Sequence, residues 1–373
     1  MKFTVSTKPL SDALSLGIID ANVTNFYKPS CIAMLTATES VLKINLESSC
    51  IVTELTLKGK GTYDAGEDSS AAASCIVDSK LLKQLVLTID ATVVTLEFMD
   101  SGLTIHAGKS KLTLPKMVDA DMTLKQPAVV SDPVKSIDVD KSDWKFIKDH
   151  QMYAVSMSYV HPVYTKVWIS ADGDVLAGDF DNSLFTHSTK SKFGTTCLVE
   201  ETVVNLFNSL PDGAKLIDFG SDSRIISCKT DGFELVTEFT PLFETNPDLG
   251  SYNSDIFLTM MEHPDSKIKV NVSAINKFLN QADLLASSKE STVKFSVEHG
   301  SLILKDHNID CTLDVEGNTS DAYAIELKTD KMKKVFAAYN SETVYIGPIQ
   351  QDDEVVGILV WNDDLDTVLA GVE

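Results

Sequence analysis

Carboxylates at short spacing raise metal chemistry first. Asp172-Gly173-Asp174, followed by Asp179 and Asp181, has the acid density of a calcium loop. An EF-hand loop starting at Asp172 needs a glycine at position 177 and a bidentate glutamate at position 183. Those positions hold Ala177 and Ser183, so the stretch reads as a solvated turn followed by a loop. Phosphate-binding loops are missing too. There is no G-x-x-x-x-G-K-[ST] run, and Gly59-Lys60-Gly61 lacks the third glycine of a dinucleotide loop. No G-x-S-x-G occurs, and the seven histidines are dispersed without an H-E-x-x-H pair. Cysteines stand at 31, 50, 75, 197, 228 and 311 with no C-x-x-C, which reads as reduced thiols of a cytosolic protein. These residues specify no catalytic centre, metal site or cofactor, and the chain reads as a non-enzyme.

The remaining chemistry is charge. The 373 residues carry 32 Lys+Arg against 54 Asp+Glu, for a net −22. A chain so acidic repels nucleic acid on average, so any such contact needs a local patch of opposite sign. Nearly all the positive charge is lysine, which suits loose phosphate contact better than bidentate base reading. The lysines are also segregated. Six helices are predicted over 8–20, 79–87, 141–151, 200–210, 272–284 and 330–339. Together they hold ten lysines and eight acids, a net +2, so the rest of the chain carries −24. If these helices share one side of their sheets, that side is near neutral to positive. It would offer a polyanion a lane of phosphate-only, salt-sensitive, sequence-blind contacts.

The elements that carry these lysines repeat. Asp78 to Ser101 and Glu200 to Ser223 share a plan at a shift of 122 without gaps. Each opens on an acid at a helix start, with apolar residues at helical spacing (Leu81, Leu82, Leu85; Val203, Val204, Phe207). An aspartate then ends each helix (Asp90, Asp212), and a strand follows. The plan returns from Thr329 at a shift of 251. A second unit repeats in step: Phe3-Thr4-Val5, Ile137-Asp138-Val139 and Ile268-Lys269-Val270 are short strands, each leading into a helix. Thr7 as N-cap with Pro9 in the first turn is a favourable helix start.

Between the helices, apolar and polar residues alternate over 41–46, 51–57, 93–98, 103–106, 111–114, 167–170, 235–239, 293–297 and 302–304. Alternation at period two indicates half-buried antiparallel strands. Asp100-Ser101-Gly102 and Glu298-His299-Gly300 read as hairpin turns. The fold class is therefore α+β, in three repeated domains of two helices packed on antiparallel sheets. The boundaries give 1–125, 126–253 and 254–373. No apolar run is long enough to span a membrane, and the N-terminus lacks the apolar stretch of a signal peptide. Cytoplasmic localisation is expected, and the N-x-S/T triplets at Asn22, Asn271 and Asn318 read as chance.

Together these residues resemble one family, the bacterial-type DNA polymerase sliding clamp, the β processivity subunit. Met1-Lys2-Phe3-Thr4-Val5 resembles its opening strand. Val93-Val94-Thr95-Leu96-Glu97, Gly102-Leu103-Thr104-Ile105 and Gly108-Lys109-Ser110-Lys111-Leu112-Thr113-Leu114-Pro115 resemble its first-domain hairpins. Length, three repeats and two helices per repeat agree over essentially the whole chain. The resemblance implies a head-to-tail homodimer closed into a ring, with helices lining the hole and sheets outside. Double-stranded DNA would thread the hole regardless of sequence, and a DNA polymerase and clamp loader would dock on one face. No cofactor is implied.

The candidate DNA contacts are Lys80, Lys83, Lys141, Lys145, Lys148, Lys277, Lys331, Lys333 and Lys334, with Lys8 beside them. By resemblance the dimer contact draws on Lys109, Lys111, Leu112 and Leu114 from the first domain, and on Leu284, Leu285, Asp306 and Asp310 from the third. The partner-peptide pocket falls on Tyr164, Phe180, Asp181, Leu184, Phe185, Pro247, Tyr252 and the strand Ile358, Leu359, Val360 and Trp361. Two places depart from the family. Its T-D-G-H-R-L-like run is here Phe180-Asp181-Asn182-Ser183-Leu184-Phe185, and its M-P-x-R-L-like end is Trp361-Asn362-Asp363-Asp364-Leu365 with about eight residues beyond. A divergent clamp of a bacterial virus, acting in the host cytoplasm and at the nucleoid, fits these departures. One alternative is a ring or arc of repeats that scaffolds proteins without holding DNA, which the −22 charge would suit; a third reading, a hydrolase with a dispersed site, is disfavoured by the missing motifs.

Overall fold

The computed structural model describes residues 1–18, 32–47, 51–63, 72–117, 124, 126–127, 135–138, 140–156, 162–179, 184–189, 196–212, 214–218, 224–239, 245–246, 250–251, 254–285, 291–298, 300–318, 322–352 and 354–372. Seven α-helices are described: α1 (Thr7–Gly17), α2 (Ser79–Leu87), α3 (Lys141–His150), α4 (Glu201–Ser209), α5 (Ser254–Met260), α6 (Val272–Leu285) and α7 (Thr329–Ala337). Six of them fall where periodicity predicts helices, with ends differing by a few residues; α5 has no counterpart among the predicted elements. Strand–helix units begin at Lys2–Ser6 with α1, at Lys135–Asp138 with α3 and at Lys267–Asn271 with α6. A second set pairs Ala73–Asp78 with α2, Cys197–Val199 with α4 and Tyr323–Lys328 with α7.

Thr7, expected as the N-cap of α1, is instead its first helical residue, and its hydroxyl donates to the Ala91 carbonyl at 2.5 Å; local chemistry explains two other helix starts. Asp78 accepts a hydrogen bond from the Leu81 amide at 2.7 Å, satisfying an orphan donor of α2 and placing negative charge at its positive end. Asn271 does the same for the Ala274 amide of α6 at 3.0 Å. The buried residues of α2 (Ser79, Leu82, Val86) are spaced three and four apart, so its lysines fall outside the apolar stripe.

The chain forms two compact units. The first comprises Met1–Lys141 and Thr202–Pro241, the second Ser142–Glu201 and Leu242–Glu373. The first unit holds a five-stranded antiparallel sheet in the order Lys60–Thr62, Lys2–Ser6, Val93–Met99, Gly102–Ala107, Ser110–Pro115. Its eight-stranded sheet runs Lys135–Asp138, Lys215–Asp218, Arg224–Lys229, Phe233–Phe239, Ile51–Lys58, Val41–Glu47, Ile32–Ala37, Ala73–Asp78. In that sheet, strands of the first and second repeats join directly, with Phe233 opposite Leu57 and Phe239 opposite Ile51. The Thr53 and Thr237 hydroxyls meet across the seam at 3.1 Å, both fully buried.

The second unit is built on a nine-stranded antiparallel sheet. Its order is Cys197–Val199, Val167–Ile169, Val175–Asp179, Leu184–Ser188, Asp366–Ala370, Glu354–Trp361, Thr343–Gln351, Lys267–Asn271, Glu316–Asn318. Here the second repeat joins the third, with Leu184 opposite Leu369 and His187 opposite Asp366. A four-stranded sheet follows the order Asp310–Asp314, Ser301–Lys305, Thr292–Glu298, Tyr323–Lys328, and a short ladder pairs Thr245–Asn246 with Gly250–Ser251. The predicted hairpins both turn on glycines with positive φ, Gly102 at 148° and Gly300 at 82°.

Candidate nucleic-acid and partner interfaces

Lys80, Lys145, Lys148, Lys277 and Lys334 are exposed on their helices, as is Lys8 on α1. Lys83, Lys141 and Lys333 are half-buried and tied to neighbours. Lys83 donates to the Ile18 carbonyl at 2.6 Å, Lys141 lies 3.3 Å from Asp212, and Lys333 lies 2.6 Å from Asp283. Lys145 pairs with Asp149 one turn along α3. Lys331 departs from the expectation of an open cation. It is 9% exposed, and burial first, then Lys328 and Lys334, lower its pKa against the pull of Asp330 and Asp179.

The strand Ser110–Pro115 ends its sheet with one ladder partner among the described residues, Gly102–Ala107, and Asp310–Asp314 ends the four-stranded sheet in the same way. Lys109 and Lys111 are exposed beside the first edge. Leu112 is half-buried and Leu114 is wholly buried, so alternation along the strand gives Leu114 to its own core rather than to a surface contact. At the end of α6, Leu284 and Leu285 are open to solvent, at 84% and 53%. Asp310 is exposed and pairs with Lys305 at 3.1 Å. Asp306 is buried and accepts from the His307 amide at 2.6 Å, a local turn role rather than a surface one.

Of the predicted pocket, Phe180, Asp181, Pro247 and Tyr252 lie outside the described residues. The others are all buried and are divided between the two faces of the nine-stranded sheet. Phe185, Val368 and Leu359 lie opposite one another across three strands and share one face with Trp361. There they form an apolar cluster with Tyr164, Trp168, Leu176, Phe257 and Met261. Leu184, Ile358 and Val360 occupy the alternate positions and turn to the other face, so they do not line the same surface. Gly178, opposite Phe185, keeps room for the ring: a Cβ there would lie 2.5 Å from Phe185 Cδ1.

A chain of charged groups borders this cluster. His187 donates from Nδ1 to Asp366 Oδ2 at 3.1 Å and from Nε2 to Asp174 Oδ1 at 3.0 Å. Burial opposes its charge, but the two carboxylates outweigh that and raise its pKa. The other Asp366 oxygen meets His263 Nε2 at 2.9 Å. The turn at 170–174 is closed by the Ser170 hydroxyl, which accepts from the Asp174 amide at 2.9 Å; the expected turn is present, but the buried strand Val175–Asp179 follows it where a loop was expected. Sequence reasoning missed His187, His263, Asp366 and Phe257. Their separation along the chain leaves no motif to read.

No protein-family model and no curated relative matches the chain. Solved structures do match along its whole length. A putative DNA polymerase III β subunit of Eubacterium rectale has a TM-score of 0.75 at 13% identity, covering 100% of both chains. The DNA polymerase III β subunit of Thermotoga maritima matches at 0.75 and 14%, covering 100% of this chain and 99% of that one. The Helicobacter pylori β clamp bound to a DNA ligase peptide matches at 0.69 and 14%, covering 100% of both. The likeness is one of fold: this chain has the DNA-clamp architecture at low sequence identity.

Proposed function

We propose that this chain, having the fold of the DNA polymerase III β subunits, is a DNA sliding clamp that tethers a replicative polymerase and catalyses no reaction itself. The observation that carries the proposal is the agreement of fold over the full length of both chains at a TM-score of 0.75. In this reading the three repeats are domains 1–125, 126–253 and 254–373, supported by the threefold recurrence of the strand–helix units. Two copies join head to tail, the open edge at Ser110–Pro115 meeting Asp310–Asp314 of the next copy with Leu284 and Leu285 beside it. Such pairing removes two unpaired edges at once. Duplex DNA passes through the ring and is held by Lys80, Lys83, Lys141, Lys145, Lys148, Lys277, Lys333 and Lys334 through phosphate contact alone. A polymerase and a clamp loader dock by extended segments at the apolar cluster that contains Tyr164, Phe185, Leu359 and Trp361, once these buried side chains are uncovered. Aromatic residues of this kind supply large contact area at small entropic cost. No described helix is long and apolar enough to cross a membrane, and the protein acts in the cytoplasm at the nucleoid, in a host cell if it is viral.

Retention on circular DNA tests the topology. Loaded protein stays on a closed circle through gel filtration and is lost after the circle is cut once. Equal loss from both forms would leave a scaffold that does not encircle DNA.

A further inference from the structure

Residues 254–264 lie along the face of the nine-stranded sheet that carries the aromatic cluster. Phe257 of α5 is 1% exposed. Its ring centroid is 4.5 Å from that of Phe185, and it meets Tyr164 edge-on at 5.8 Å and 82°. Met261, one turn later, is buried in the same cluster. His263 then stacks on Trp361 at 4.6 Å and 17°, and its Nε2 reaches Asp366. Pro264 occupies space left by Gly347, where a Cβ would come within 2.3 Å of Pro264 Cγ. The opposite side of α5 faces solvent through Ile256 and Met260.

The backbone beneath this strap is held by pairing that does not involve it. Phe185, Leu359, Trp361 and Val368 sit on strands held by ladders on both sides, and Tyr164 sits in the 3₁₀ turn Pro162–Thr165. Among the described residues, no strand pairs with 254–264. Lifting the strap would therefore uncover a preformed aromatic surface without breaking a β-ladder. The strap also displays the chemistry that fits: an aromatic residue, a large flexible apolar residue four positions later, and an acid next to it at Glu262. Lys267 Nζ lies 5.6 Å from the Tyr345 ring centroid and 6.0 Å from that of Trp361, a cation suited to that acidic flank.

We infer that residues 254–264 are an internal occupant of the partner site, which a partner segment enters by displacing them. This rests on the partner-site reading above. The entering segment carries an aromatic residue followed four positions later by Met or Leu on one helical turn, with an acidic flank. Occupancy by the strap lowers the partner's apparent affinity by the fraction of time the site is open.

The test uses the full chain and, as probe, a fluorescein-labelled synthetic peptide with the sequence of residues 254–264. The variant Phe257→Ala/His263→Ala should bind it at least about tenfold more tightly than the unaltered chain. A probe carrying Phe257→Ala should bind neither. Equal affinity for both chains overturns the inference, as does absence of binding to a variant that still unfolds cooperatively. Should the variant not fold, hydrogen exchange on the unaltered chain decides. The Met261 and Glu262 amides, which bond to Phe257 and Thr259 carbonyls, should exchange through an opening that leaves Glu354–Trp361 protected. Equal protection of both segments makes the strap permanent core and refutes its displacement. Failure of retention on circles would refute the clamp and leave the probe result standing.

Discussion

Removing the exposed helix lysines should flatten the salt dependence of DNA binding in proportion to their number. The variant is Lys80→Ala/Lys145→Ala/Lys148→Ala/Lys277→Ala/Lys334→Ala. All five side chains are exposed, so their loss leaves no buried hole. Lys83, Lys141 and Lys333 remain, each already held by a neighbour. Each phosphate neutralised releases about 0.9 counterion, so the slope of log K against log salt counts the contacts. With five of eight proposed contacts removed, the slope should fall to about three-eighths of its parent value. A short linear duplex, open at both ends, supplies the equilibrium measurement by fluorescence anisotropy between about 50 and 200 mM salt, a range over which such contacts weaken steeply. The control is Lys43→Ala/Lys229→Ala, which removes strand lysines paired with Glu54 and Glu234. Its slope should match the parent's. An unchanged slope in the five-fold variant, or an equal fall in the control, would refute the helix assignment.

Leu284→Ala/Leu285→Ala should produce a monomer by sedimentation while shifting stability by no more than about 0.5 kcal/mol, because both residues are exposed; a dimer of undiminished strength would place the contact elsewhere. Thr53→Val should cost about 1–3 kcal/mol in urea unfolding by stranding the buried Thr237 hydroxyl, and adding Thr237→Val should recover most of it; additive losses would show that the seam hydroxyls do not interact. The raised pKa of His187 makes its contribution fully present below the unfolded value near ~6.5 and lost as pH rises through the higher folded value. The unfolding midpoint should therefore decline across that window, and His187→Gln should flatten the decline; a midpoint that rises there would reverse the assigned sign.

The helices were legible because their apolar residues recur at three and four positions and their starts carry capping residues. Lys80 and Lys83 could be read as lying outside the buried stripe for the same reason. Lys331 misled because its neighbours 333 and 334 share its charge, and charge alone carries no burial; the 3.6-residue period places 331 nearer the face of buried Met332 and Val335. The hairpins at Gly102 and Gly300 were legible from turn chemistry. In contrast, Ile358 to Trp361 is a continuous apolar run, buried on both faces, so no alternation marks which pair meets Phe185. Helix α5 escaped because Ile256, Phe257, Leu258, Met260 and Met261 form an apolar run too short for a helical period, directly after the boundary at 253/254.

The repeats in the sequence and the compact units of the structure do not coincide, and the reason is the seams. Repetition marks the strand–helix unit, which a chain can copy without regard to what its sheet edges meet. Compactness follows the ladders, and these run from the middle repeat into both neighbours, at Ile51–Lys58 with Phe233–Phe239 and at Leu184–Ser188 with Asp366–Ala370. Each seam joins strands that would otherwise be open edges, so of the ten described strands of the middle repeat four belong to the first unit and six to the second. An edge joined in this way is protected from unintended pairing. The described edges at Ser110–Pro115 and Asp310–Asp314 are strands of the same antiparallel kind. Closing a proposed ring through them needs no new type of contact. It would repeat between two copies the join that the chain makes twice within itself, with the exposed Leu284 and Leu285 as the proposed apolar area beside it.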